Sequence, residues 1–126
     1  MTLRNLVYVT GVAALVFVLG DLFLAVPLGA MLNPTGTLSD FALANIHVRG
    51  AVGMLYVFLA YFSRHADEKT LKQVVGPTMM LGFVAQSVGI LYELVVSRQY
   101  GASGWIFIVL GILFISAYAY FLYIKK

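Results

Sequence analysis

The chain has 126 residues, of which 62% are hydrophobic and only 10% are charged, and its mean hydropathy is +0.96. This balance is far from that of an ordinary soluble domain and predicts that lipid is the solvent for much of the surface. The net charge of +3 does not indicate a nucleic-acid partner, because the basic residues are few and lie near the ends of apolar segments. The sequence contains no cysteine, which excludes disulfides, thiolate nucleophiles and thiolate metal sites.

Four apolar segments follow one another along the chain, each long enough to cross a bilayer as a helix. They cover residues 6–32, 41–62, 74–96 and 105–124. Only helices and closed barrels satisfy the backbone in lipid, and continuous apolar runs without alternation favour helices. The sequence therefore predicts an all-α fold, an integral membrane four-helix bundle that forms one domain over residues 1–126.

The first segment follows Arg4 and could be mistaken for a secretory signal. Its apolar stretch is longer than a signal core, so we expect a retained membrane helix. Pro27 lies near the end of this segment and should kink or end the helix near Val26, because proline removes a backbone hydrogen bond.

Short connectors separate the segments, at residues 33–40, 63–73 and 97–104. Ser39 or Asp40 could cap the second helix, and residues 63–73 form the charged connector. Basic residues concentrate on one side, which predicts that both termini and the charged connector face the cytoplasm. That side carries Arg4, Arg64, Lys69, Lys72, Lys125 and Lys126, whereas the other carries Arg98.

Three charged residues lie inside the apolar segments: Asp21, Arg49 and Glu93. A charge in the bilayer core costs roughly 2.5–3.5 kcal/mol on insertion scales, so these residues should compensate one another or serve a function. At about 1.5 Å per residue, all three fall in the outer half of the membrane in the predicted orientation. We expect Arg49 to contact Asp21, Glu93 or both, with Asp21 as the preferred partner because it lies deeper.

The third segment carries a stripe of small and polar residues at helical spacing, formed by Gly82, Gln86, Gly89 and Glu93. Such a stripe indicates an inward face, and Gln86 is therefore a further candidate for the polar cluster. His47 lies at a similar level but two positions from Arg49, so it should point elsewhere and is interpreted as a packing or interfacial residue. The fourth segment has Ser116 but otherwise resembles an apolar wall.

The segment from Asn45 to Met54, with Arg49 followed by Gly50 and Gly53, resembles small bacterial four-helix membrane proteins of the DoxX-like type. The resemblance implies a location in the bacterial inner membrane and extends over most of the chain. It brings no established chemistry, so only Arg49, Gly50 and Gly53 carry over from it.

Three functions remain open from the sequence. The first is a non-enzymatic helical subunit that assembles with copies of itself or with a larger membrane complex. The second is a transporter or a protein that binds a lipid or small ligand at the polar cluster. The third is a membrane enzyme that acts on a lipid or quinone with Glu93 as general base, although the sequence shows no partner group for that role. No catalytic residue, cofactor or metal site is predicted.

Overall fold

The computed structural model describes residues 1–32, 40–98 and 100–125, and five helices account for most of them. They are α1 (Leu3–Phe23), α2 (Ala25–Leu32), α3 (Asp40–Phe62), α4 (Glu68–Val95) and α5 (Ala102–Ile124). All except the short α2 are long and apolar enough to cross a membrane. The predicted all-α bundle with four membrane spans is confirmed. Of the connector predicted at residues 33–40, residues 33–39 with the proposed Ser39 cap lie outside the described residues, and Asp40 is the first residue of α3.

The segment predicted over residues 6–32, with a kink or an end near Val26, is divided at Leu24. The α1 helix ends when the Leu24 amide donates to the carbonyl of Gly20 at 2.7 Å, and Leu24 then leaves the helical backbone region at φ −120° and ψ 26°. Pro27 has no N–H, and in a continuous helix its ring would clash with the carbonyl four residues earlier, at Phe23. The break before Pro27 removes this clash and places the proline in the first turn of α2.

The connector predicted at residues 63–73 is largely helical, because α4 begins at Glu68. The Asp67 side chain accepts a hydrogen bond from the Thr70 amide at 2.7 Å and so caps the helix. Hydrogen bonding with Thr70, through its side chain and its backbone amide, lowers the pKa of Asp67. A π-helical turn at Leu71–Val75 precedes Pro77, which cannot donate a helical hydrogen bond of its own. Local capping thus extends α4 beyond the apolar run that predicted it.

The spans pack chiefly as two pairs, α1 with α3 and α4 with α5. Glycines permit both close approaches: a methyl group built on Gly11 would lie 2.5 Å from the Cβ of Ala60, and one on Gly111 would collide with Ser87. Small residues at interfaces let helix backbones approach in lipid, where no hydrophobic force drives helices together. The Ala85 and Gly89 pair does not serve this purpose, because both residues are exposed and nothing lies within 4 Å of a methyl group built on Gly89.

A buried core joins the two pairs at the end of the bundle that holds both termini. Its buried members are Leu3, Leu6, Val7, Ala60, Leu71, Val75, Met79, Tyr118 and Phe121. The Arg4 guanidinium donates to the carbonyls of Arg64 and Ala66, and Lys125 donates to the carbonyl of Met1. At the opposite end, Ser103 donates to the carbonyl of Met31. The termini and the turn after α3 therefore share one end of the bundle.

The fourth predicted segment is not only an apolar wall. Tyr118 on α5 is fully buried, and its hydroxyl lies 2.8 Å from the hydroxyl of Thr10, which also donates to the carbonyl of Leu6. Ser116, the polar residue expected to matter on this helix, is exposed. The polar contact of α5 within the core is thus made by Tyr118.

Candidate lipid-facing polar site

The charged centre of the bundle is a two-point ion pair between α1 and α3. The Arg49 Nε donates to Asp21 Oδ2 at 2.7 Å, and its Nη2 donates to Asp21 Oδ1 at 2.6 Å. Only 6% of the Asp21 side chain and 16% of the Arg49 side chain is exposed. Gly50 allows this approach, because a methyl group there would lie 3.0 Å from the Cβ of Asp21. The predicted contact between Arg49 and Asp21 is confirmed.

Aromatic residues from the α4–α5 turn and from α5 enclose the guanidinium. Its Nη1 donates to the hydroxyl of Tyr100 at 3.2 Å. The Arg49 Cζ lies 5.9 Å from the centre of the Tyr100 ring and 5.4 Å from that of Phe107, within the range of cation–π attraction. The Phe107 ring in turn packs edge-on against Phe17 at 5.9 Å. The guanidinium is therefore held by a carboxylate on one edge and by aromatic groups around it.

Tyr100 remains a hydrogen-bond donor while it accepts from Arg49. Burial raises the pKa of Tyr100, against the opposing effect of the adjacent Arg49 charge. The phenol therefore keeps its proton at neutral pH and can donate it to a further group.

A small cavity of about 80 Å³ lies beneath the ion pair, between the four spans. Asp21, Arg49, Gln86 and Tyr56 contribute polar groups to a wall that is otherwise mostly apolar. A water molecule needs at least about 10–15 Å³ of such space and two to four polar partners. The cavity has the size and the polar groups to hold a few water molecules.

A larger groove of about 510 Å³ runs along the surface between α3 and α4 and shares Arg49, Tyr56 and Gln86 with the cavity. One end of the groove is charged, because Arg49 and Glu93 line it there together with Tyr100. Toward the other end of α3 the wall is mostly apolar, with Val52, Leu55 and Leu59 following Arg49 along the helix. The polar side chains along this length are uncharged: Tyr56, Thr78 and Gln86. The groove thus has a charged end and a mostly apolar length.

The predicted stripe of α4 does not form the expected inward face but lines this surface groove. Gln86 and Gly89 are exposed, and the groove is bordered by Gly82, Gln86, Gly89 and Glu93. Glu93 does not join the ion pair, however. Its carboxylate accepts a hydrogen bond from Ser97, which lies just beyond the end of α4, and the single ion pair among the described residues is that of Arg49 with Asp21. The expected trio is therefore a pair with Glu93 beside it, half-buried in the groove wall.

His47 lies apart from the polar site. Its side chain is exposed, and its Nδ1 lies 2.9 Å from the carbonyl of Leu43 on the same helix. Two positions along a helix turn a side chain by about 200°, so His47 faces away from Arg49. The described residues contain no group of three or more His, Cys, Asp or Glu side chains that could hold a metal ion.

Sequence reasoning missed the aromatic enclosure of Arg49. Tyr100 lies in a connector of the sequence, and Phe107 lies on a helix whose sequence shows no polar face. One usable signal was present: Tyr100 lies at the level expected for Arg49, in the turn that follows Glu93.

No family model, curated protein or solved structure matches this chain. The candidate site is therefore interpreted from its own geometry.

Proposed function

We propose that this protein binds a single membrane lipid in the groove between α3 and α4, with the headgroup beside Arg49 and Glu93. The observation that carries the proposal is the change of wall chemistry along one groove, from charged side chains at one end to an uncharged and mostly aliphatic wall along its length. An amphiphile has the same order of polar and apolar parts. This proposal corresponds to the lipid-binding alternative from the sequence.

The size of the groove supports a molecule of this kind. Its volume of about 510 Å³ falls inside the range of roughly 300–1,000 Å³ typical of ligand sites. Gly89 borders it without a side chain, and nothing lies within 4 Å of a methyl group built there. An acyl chain could lie against this backbone position and against Val52 and Leu55.

The position of the groove supports entry from the bilayer. It lies between two membrane spans and opens on the outer surface of the bundle, where its own apolar lining residues Val48, Val52 and Leu55 are exposed. A lipid could enter sideways without leaving the membrane. Because its headgroup would meet Arg49 and Tyr100, the polar part need not cross the apolar core.

A bulky substitution in the groove tests the proposal. Ala85→Trp would fill the groove, whereas Val88→Trp adds the same bulk to an exposed position of α4 outside the groove wall. Native mass spectrometry in mild detergent should find one retained lipid on the wild type and on Val88→Trp, and a loss of most of it on Ala85→Trp. Equal lipid retention by the two variants would refute the groove as the binding site.

A second function, the non-enzymatic helical subunit, is favoured by the exposed Ala85 and Gly89. These residues are four positions apart, which is the spacing of small residues that pack membrane helices together. A second copy or another membrane protein could cover the same face. Native mass spectra of the wild type that show dimers with an empty groove would favour the subunit over the lipid-binding protein.

We also propose that both termini face the cytoplasm of a bacterial cell and that the polar site lies in the outer leaflet. The shared position of the termini and the turn at Ser63–His65, together with the basic residues there, supports this orientation. The relation to DoxX-like proteins remains a proposal based on Arg49, Gly50 and Gly53, of which Gly50 packs on Asp21 and Gly53 on Val18.

A further inference from the structure

The charges at the polar end of the groove do not cancel. Asp21 and Arg49 neutralise each other through two short hydrogen bonds, which leaves Glu93 as a carboxylate with no ion-pair partner among the described residues. Ser97 supplies a neutral hydrogen bond to Glu93, but no positive charge. The polar end of the groove therefore carries one surplus negative charge.

Other charged groups at this end do not remove the surplus. Asp40, at the start of α3, and Arg98, just after α4, are both exposed and carry opposite charges. In water such charges are strongly screened, whereas Glu93 lies half-buried in the groove wall. A positive group on a ligand that enters the groove would meet Glu93 in a setting of lower dielectric, where the attraction is stronger.

The same end of the groove also offers donors for an anion. Arg49 has five N–H groups, of which three are used by Asp21 and Tyr100, so two remain. Tyr100 can donate its own proton, as described above. Glu93 and Arg49 thus present an acceptor with a negative charge and a set of spare donors within one groove wall.

On the basis of the proposed lipid site, we infer that the bound lipid is a phospholipid with a primary amine in its headgroup. The ammonium would donate to the Glu93 carboxylate, and the phosphate would accept from the free edge of Arg49 and from Tyr100. In this arrangement the ammonium has a negatively charged acceptor and the phosphate has hydrogen-bond donors. An anionic headgroup without an amine would add a like charge beside Glu93 and leave that carboxylate unpaired.

The inference is tested by competition between two phospholipids that share the same acyl chains, phosphatidylethanolamine and phosphatidylglycerol. Detergent-purified protein is titrated with an equal mixture, and bound lipids are counted by native mass spectrometry. A hydrogen-bonded charge pair predicts that the wild type prefers the ethanolamine lipid by about tenfold. Glu93→Gln should retain one bound lipid but lose most of this preference, because the amide keeps the shape of the side chain without its charge.

Asp40→Asn is the matched control, because it removes a carboxylate at the same end of the bundle but outside the groove wall. It should keep the tenfold preference. A wild type that binds both lipids equally, or a preference that survives in Glu93→Gln, would overturn the amine inference and leave lipid binding intact. A wild type that retains neither lipid would overturn the proposed function itself.

Discussion

Replacing Arg49 with leucine while Asp21 remains should destabilise the protein more than replacing both residues together. Arg49 donates two hydrogen bonds of 2.6 and 2.7 Å to Asp21, and only 6% of the Asp21 side chain is exposed. Leucine fills part of the volume but strands a carboxylate that water scarcely reaches. The double variant, with Asp21→Asn added, removes that stranded charge.

The expected size follows from the burial of the pair. Removing one partner of a buried ion pair costs about 3–5 kcal/mol, chiefly because the other charge is left uncompensated. In Arg49→Leu the loss of the Tyr100 hydrogen bond and of the contact with Phe107 places the cost toward the upper end of that range. If the two residues interact as the geometry shows, the double variant should recover about 1–3 kcal/mol of this loss as coupling energy.

The measurement is the free energy of unfolding in detergent micelles by titration with sodium dodecyl sulfate, for the wild type, both single variants and the double variant. Arg98→Leu is the control, since it removes the same charge from an exposed position. It should change the free energy of unfolding by no more than about 0.5 kcal/mol. Strictly additive losses from Arg49→Leu and Asp21→Asn would refute the reasoning, because they would mean that the two side chains do not stabilise each other.

Three further predictions concern the orientation and the packing. Cysteine at Thr70 should be labelled by a membrane-impermeant thiol reagent from the cytoplasmic side and cysteine at Ala102 from the other side, and labelling of both from one side would contradict the topology. Gly11→Ala should lower the free energy of unfolding by about 1–3 kcal/mol, because the added methyl would lie 2.5 Å from a carbon of α3. Gly89→Ala, with open space around it, should be nearly neutral, and equal losses would contradict the packing argument. Tyr118→Phe should lower the free energy of unfolding by about 0.5–1.5 kcal/mol in the same titration. If this variant is as stable as the wild type, the buried hydrogen bond between Tyr118 and Thr10 does not stabilise the protein.

The number of spans and the main ion pair could be predicted from the sequence. Long apolar runs have one stable backbone solution in lipid, and a buried arginine in such a run requires a partner. Asp21 could be predicted as the partner of Arg49 because it lies at a similar depth in the membrane and carries the opposite charge. These inferences hold because the bilayer penalises every unpaired polar group, so a few charged residues in 126 carry much of the information.

Pro27 predicted a break in the first helix near Val26, and the structure places this break at Leu24. The early start of α4 and the separation of Glu93 from the ion pair came from the tertiary structure. An apolar pattern does not mark a helix cap, so the cap at Asp67 was found only in the structure. Glu93 has a neighbouring hydroxyl at Ser97 that satisfies it without Arg49.

The groove itself was decided by the way the helices pack. The α5 helix has apolar residues on all sides and only a few polar ones, so its sequence carries little information about which face turns toward Arg49. Helix rotation and interhelical contacts decide whether Phe107 and Tyr100 enclose the guanidinium. They also decide whether α3 and α4 pack closely or leave a groove of about 510 Å³ between them. In lipid, an apolar side chain has nearly the same free energy against another helix as against an acyl chain. The apolar pattern of the sequence therefore determined which segments can span the membrane. Close packing at glycines determined which helices contact each other.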